Sequence, residues 1–130
     1  MTAVAPVLEM REICKRFPGV QALRDAELEV EAGEVHVLLG ENGAGKSTLM
    51  KVLCGQHRKD SGTMVFAGEM LEPTTPIEAE RHGLIMIHQE LNLVPGLTVA
   101  ENIFLGHETT SMGFTLHKEM HRESRRLLQR

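Results

Sequence analysis

The residues best equipped for chemistry lie between positions 40 and 48, where the chain reads Gly-Glu-Asn-Gly-Ala-Gly-Lys-Ser-Thr. Gly40, four intervening residues, then Gly45, Lys46 and Ser47 have the spacing of a phosphate-binding loop. Gly40, Gly43 and Gly45 let successive backbone N–H groups turn inward and surround the oxygens of an anion. Lys46 supplies a point charge for terminal phosphates, and Ser47 offers a hydroxyl to a Mg²⁺ ion that bridges them. Thr48 can donate to an inner phosphate. An ordinary Gly-rich turn meets the bare pattern too; what separates the two is a strand delivering the loop and a helix leaving it.

The flanking sequence offers both. Residues 35–39 are apolar apart from His36, as expected of a strand covered on both faces within a parallel sheet. Residues 46–54 place Leu49, Val52 and Leu53 on one helical face, and Gly55 is a natural stop. Such a helix adds the positive end of its dipole and its unpaired amides to the loop.

Upstream, residues 8–17 and 22–31 alternate apolar with polar side chains around the turn Pro18-Gly19, predicting an antiparallel pair with one wet face. Downstream, the turn signal Asp60-Ser61-Gly62 leads into a strand over 63–66. A short helix over 77–82 follows, with Pro76 near its first position and Gly83 ending it. Residues 84–87 read as a further buried strand, with Gln89 just beyond its end. Thr98 with Glu101 three residues later forms a capping-box pattern that opens a helix to about residue 105. A polar loop over 106–113 separates it from a helix over 117–130, whose apolar side is Leu116, Met120, Leu127 and Leu128.

Composition narrows the function classes. A chain of 130 residues suits one domain but is short for a complete nucleotide hydrolase of this type. A net charge of -4 argues against a nucleic-acid binder. No apolar run approaches the roughly 18 residues of a membrane span, and the N-terminus lacks a basic region followed by an apolar core, so neither a threaded nor an exported chain is expected. Cys14 and Cys54 stand alone and read as small buried side chains in a reducing setting. His117 and His121 share a helix face, but HKEMH misplaces the Glu for a zinc protease and shows no third ligand, so they read as solvated surface. The basic run over 117–130 reads as an exposed helix face.

Three features fall in register with one family. The loop GENGAGKST, Phe17 upstream of it, and Gln89 after GLIMIH together resemble the ATP-binding-cassette subunits of membrane transporters, over nearly the whole chain from residue 8. The wording KRFPGVQAL, GEVHVLLGENGAGKSTLMKVLCG and IHQELNLVPGLTVAENIFLG is similar to the first nucleotide-binding half of monosaccharide importers of the ribose, galactose and xylose type. The fold this implies is α/β, a P-loop nucleoside triphosphate hydrolase, incomplete, with an N-terminal antiparallel β portion. Residues 1–95 would be part of the ATP-binding core and 96–130 the start of the helical subdomain.

The resemblance also implies roles. Phe17 would stack on adenine and Val20 would pack beside the base or ribose. Gly40, Glu41, Asn42, Gly43, Ala44, Gly45, Lys46, Ser47 and Thr48 would hold the phosphates of ATP, and Ser47 and Gln89 would complete the Mg²⁺ shell, with Lys46 and Gln89 acting in catalysis. The implied partners are transmembrane permease subunits, met through the apolar stretch 91–97 after Gln89, a second nucleotide-binding domain and, indirectly, a solute-binding protein. Nucleic acid is not among them. The implied location is cytoplasmic, peripheral on the inner face of the membrane. The family's catalytic Glu, signature loop and switch His have no counterpart after Gln89, so the chain is expected to be the N-terminal piece of a longer protein, inactive alone and with exposed sheet edges. The competing readings are a cassette ATPase acting on nucleic acid or the ribosome, which should carry coiled-coil or basic insertions after Gln89, and a fragment with no activity of its own.

Overall fold

A computed structural model describes residues 5–88, 93–111 and 113–129. The chain forms two compact units, Met1–Ile87 and His88–Arg130.

The first unit is built on β1 (Leu8–Phe17) and β2 (Val20–Val30), an antiparallel hairpin closed by the pair Phe17–Val20. Next come α1 (Lys46–Leu53), β3 (Ser61–Phe66), the two-residue β4 (Glu69–Met70) and α2 (Pro76–Arg81). The sheet order is β2-β1-β3-β4. Strict alternation would send Glu12 inward after Leu8 and Met10. Instead the register shifts between Met10 and Ile13, with Glu12 at φ 53° and Asp25 on the facing strand at φ 45°. These irregularities insert a residue on each strand, so Ile13 pairs with Ala26 and is fully buried. Gly62 at φ +94° lies against the same kink, where a Cβ would come 2.5 Å from the Glu12 carbonyl oxygen. Helix α1 lays Leu49, Val52 and Leu53 onto a core with Leu8, Met10, Ile13, Leu23, Leu28, Met64 and Leu71, as its spacing predicts.

Two expected strands are absent. Residues 35–39 and 84–87 have no ladder partner among the described residues; the first run lies open, with Val35 90% exposed, and in the second Ile87 is 89% exposed while Leu84 and Met86 are half-buried. Near-continuous apolar runs belong to strands flanked on both sides, and without neighbouring strands to bond them these segments are unpaired and at most half covered. Only Leu84 of the second segment packs against the core.

The second unit holds α3 (Val99–Ile103), the two-residue strands β5 (Thr110–Ser111) and β6 (Phe114–Thr115), and α4 (His117–Leu128). Thr98 caps α3 with the full capping box: its side chain accepts from the Glu101 amide and the Glu101 carboxylate reaches back. The small β5–β6 hairpin stands where a polar loop is predicted. On α4 the buried positions are Met120 and Ser124 rather than the predicted Leu127 and Leu128, which are 50% and 68% exposed. The helix packs against the five-residue α3, which is too short to cover the last turn of α4.

Candidate functional site

Helix α1 starts at Lys46, and the residue before it, Gly45, is left-handed at φ 88°, ψ 0°. No side chain caps this end and no acidic residue lies in the first turn. Helix geometry leaves the amides of Lys46, Ser47 and Thr48 without an intrahelical acceptor; the first such bond runs from the Leu49 N–H to the Gly45 carbonyl, at 2.9 Å. No carboxylate of the helix's own first turn therefore neutralises its positive end. Before it, the Ala44 N–H donates to the Glu41 carbonyl at 3.2 Å, and Gly43 takes φ +87°.

The Lys46 ammonium donates to the carbonyl oxygens of Gly40 at 2.5 Å and Glu41 at 2.8 Å, which holds it across the bend. A Cβ on Gly40 would lie 3.4 Å from Ala44 Cβ and 3.7 Å from Lys46 Nζ, partly filling the space the loop encloses. Glu41, Asn42, Gly43, Ala44 and Ser47 are exposed, while Lys46 and Thr48 are half-buried. Outward amides, one ammonium and an exposed hydroxyl form a donor set that suits a polyphosphate carrying a hard divalent cation.

Gly45 also fixes where this loop sits. A Cβ there would lie 2.6 Å from the Ala22 carbonyl oxygen and 2.8 Å from Leu23 Cδ2, so the backbone rests directly on β2. Val20, paired with Phe17, is two residues from Ala22, about 7 Å along the strand. The sheet thus brings the end of the hairpin and the loop to the same edge of the unit. Phe17 is half-buried and outside the buried core; its ring centroid is 5.1 Å from that of His57 at an interplanar angle of 71°, and Lys15 Nζ is 5.5 Å from it. Val20 is 57% exposed.

Gln89 lies outside the described residues. His117 Nδ1 is 4.0 Å from a Glu101 oxygen, and His121 is exposed. A cavity of about 520 Å³ lies beside His57, Arg58 and Thr74, but none of residues 40–48 lines it and the Lys59–Glu72 ion pair, at 2.6 Å, stands in its wall. The cavity and the loop are thus separate features of the first unit. Sequence reasoning missed Lys15, His57 and Asp60 around Phe17; Asp60 reads only as a turn residue in the sequence, because its partners lie more than forty positions away.

Comparison with known proteins places the chain among relatives. The family profile described as ABC transporter matches residues 23–130. The ribose import ATP-binding protein RbsA 1 of Rubrobacter xylanophilus is 54% identical over 125 residues, covering 96% of this chain and 25% of that protein. A putative ribose/galactose/methyl galactoside import ATP-binding protein of Agrobacterium fabrum is 55% identical over 106 residues, covering 82% of this chain and 21% of that protein. The chain thus spans about a quarter of the length of the curated relatives it matches. Among solved structures, a nucleotide-free ATP-binding cassette from an ABC transporter superposes with a TM-score of 0.71 at 27% identity, over 91% of this chain and 46% of that one. The cassette MJ1267 in its ADP conformation gives 0.58 at 32% identity, over 60% and 31%.

Proposed function

We propose, from the premise that this chain belongs to the ABC transporter family, that it carries the ATP-binding site of an importer's energising subunit. In the whole protein that subunit would bind Mg-ATP and hydrolyse it to drive uptake of a monosaccharide, in keeping with the sugar-import relatives. The observation that carries the reading is the uncapped start of α1, where outward amides, Lys46 and Ser47 converge behind a left-handed Gly45 seated on β2.

The roles follow from chemistry. The amides of Gly43 and of residues 45–48 would bind phosphate oxygens, and Lys46 would move from the Gly40 and Glu41 carbonyls to the terminal phosphates. Ser47 would hold Mg²⁺ and Gln89 would complete its shell, and the ion would supply charge neutralisation to the phosphates. Phe17 and Val20 would receive the base. Residues 1–95 would serve as the ATP-binding core and 96–130 as the beginning of the helical subdomain. Among the described residues no helix is long and apolar enough to cross a membrane, and we assign membrane contact to permease subunits meeting the exposed Leu93, Val94 and Leu97.

The test is titration of a fluorescent ATP analogue with Mg²⁺ against the unaltered chain and Lys46→Ala. Hydrogen bonds to charged groups contribute about 1.5–3 kcal/mol, so affinity should fall at least roughly tenfold. Equal affinity would remove the phosphate-binding reading.

A further inference from the structure

The ring of Phe17 sits at a strand end beside a turn, where an aromatic side chain would ordinarily be loosely held. Here it is fixed from several sides by residues outside the loop. Asp60 is the centre of the arrangement: Oδ1 accepts from Lys15 Nζ at 2.9 Å, Oδ2 accepts from the Arg16 N–H at 2.6 Å, and the Asp60 N–H donates to the Cys14 carbonyl at 2.9 Å. Three consecutive residues of β1 are therefore tied to one residue of the segment that follows α1. Drawn to Asp60, the Lys15 side chain is 15% exposed and carries its ammonium over the Phe17 ring. His57 packs on the ring in a T-shaped arrangement, and its own backbone is anchored, with the N–H groups of Gln56 and His57 both donating to the Lys51 carbonyl, at 2.8 and 3.0 Å.

We propose that Lys15, His57 and Asp60 form a positioning cluster that holds Phe17 as a flat platform for the base of a nucleotide; this rests on the reading of residues 40–48 as the polyphosphate-binding loop. With Lys15 over one face, a base would stack on the other. A cation on the near face also polarises the ring, and the T-shaped contact with the imidazole fixes its tilt. Helix α1, about 12 Å long, carries the phosphate loop at one end and, just past the other, the segment that supports the ring. One rigid element thus sets the spacing between a nucleotide's phosphates and its base. The three residues act through Phe17 and touch no reacting atom.

Calorimetric titration of the whole chain with two probes separates this role from the loop's own: Mg-ATP, which has a base, and magnesium tripolyphosphate, which does not. The variants are Lys15→Met, His57→Leu and Asp60→Asn, with Phe17→Leu as reference. Each cluster variant should weaken ATP about three- to tenfold and leave tripolyphosphate within twofold, which also reports an intact fold. Adding His57→Leu to Phe17→Leu should cost nothing more. The proposal is overturned if both probes weaken alike, if ATP is unaffected, or if the losses simply add. An unaltered chain that binds tripolyphosphate as tightly as ATP overturns the platform and spares the loop; one that binds neither overturns both.

Discussion

Replacing Gly45 with Ala tests whether contact with β2 or backbone freedom alone demands a glycine at the start of α1. Two costs are legible. The left-handed conformation at φ 88° costs a non-glycine residue about 1–2 kcal/mol. The added Cβ would stand 2.6 Å from a backbone oxygen and 2.8 Å from Leu23 Cδ2, and because backbone cannot rotate aside, α1 must move off β2, adding about 1–3 kcal/mol. Gly43 is the internal control: it has nearly the same φ, 87°, but nothing lies within 4 Å of its Cβ position. Gly43→Ala should therefore show the conformational cost alone. The difference, about 2 kcal/mol, is a large share of the ~5–15 kcal/mol that stabilises an ordinary domain. In urea, with a slope of about 1–3 kcal/mol/M, it should lower the midpoint of Gly45→Ala by about 1 M relative to Gly43→Ala. The chain has no Trp or Tyr, so far-ultraviolet circular dichroism is the appropriate readout. Equal midpoints would refute the idea that direct seating on β2 positions the loop.

Other consequences are smaller in scope. Thr98→Ala should destabilise the second unit by about 1 kcal/mol through loss of the cap, measured by hydrogen exchange at the α3 amides. The Glu101 carboxyl is held below its ordinary range, first by the Thr98 N–H and then by the Thr98 hydroxyl. Its contribution should therefore be complete above the unfolded value, near pH 4.3, and disappear as pH falls through the depressed folded value; Glu101→Gln should flatten that acid limb in a thermal-melt series. Met120→Ala, at a site 1% exposed, should cost about 2–5 kcal/mol, while Leu127→Ala should stay within about 0.5 kcal/mol. Similar melting shifts for these two variants would mean that the burial assigned to α4 is wrong.

Local chemistry made much of this protein legible from its residues alone. The apolar face of α1, Pro76 opening α2 and the Thr98–Glu101 capping box each depend on residues within a turn or two of one another, so spacing suffices to identify them; for the expected phosphate-binding loop the structure supplies the following helix but not the preceding strand. Features set by distant partners were not legible. The paired irregularities at Glu12 and Asp25 exist because two strands must agree on which side chain turns inward, and Ile13 is buried only as a result. The runs at 35–39 and 84–87 have the composition of buried strands, yet composition supplies no hydrogen-bond partner, and without one they lie open. On α4, periodicity gave an apolar stripe, but the length of α3 decided how much of it is covered. The sequence by itself thus determined which residues make up the proposed phosphate-binding loop; only the tertiary structure decided that Gly45 rests on β2 and that Lys15, His57 and Asp60 gather around Phe17, because contacts between residues more than twenty positions apart depend on how the sheet and α1 meet.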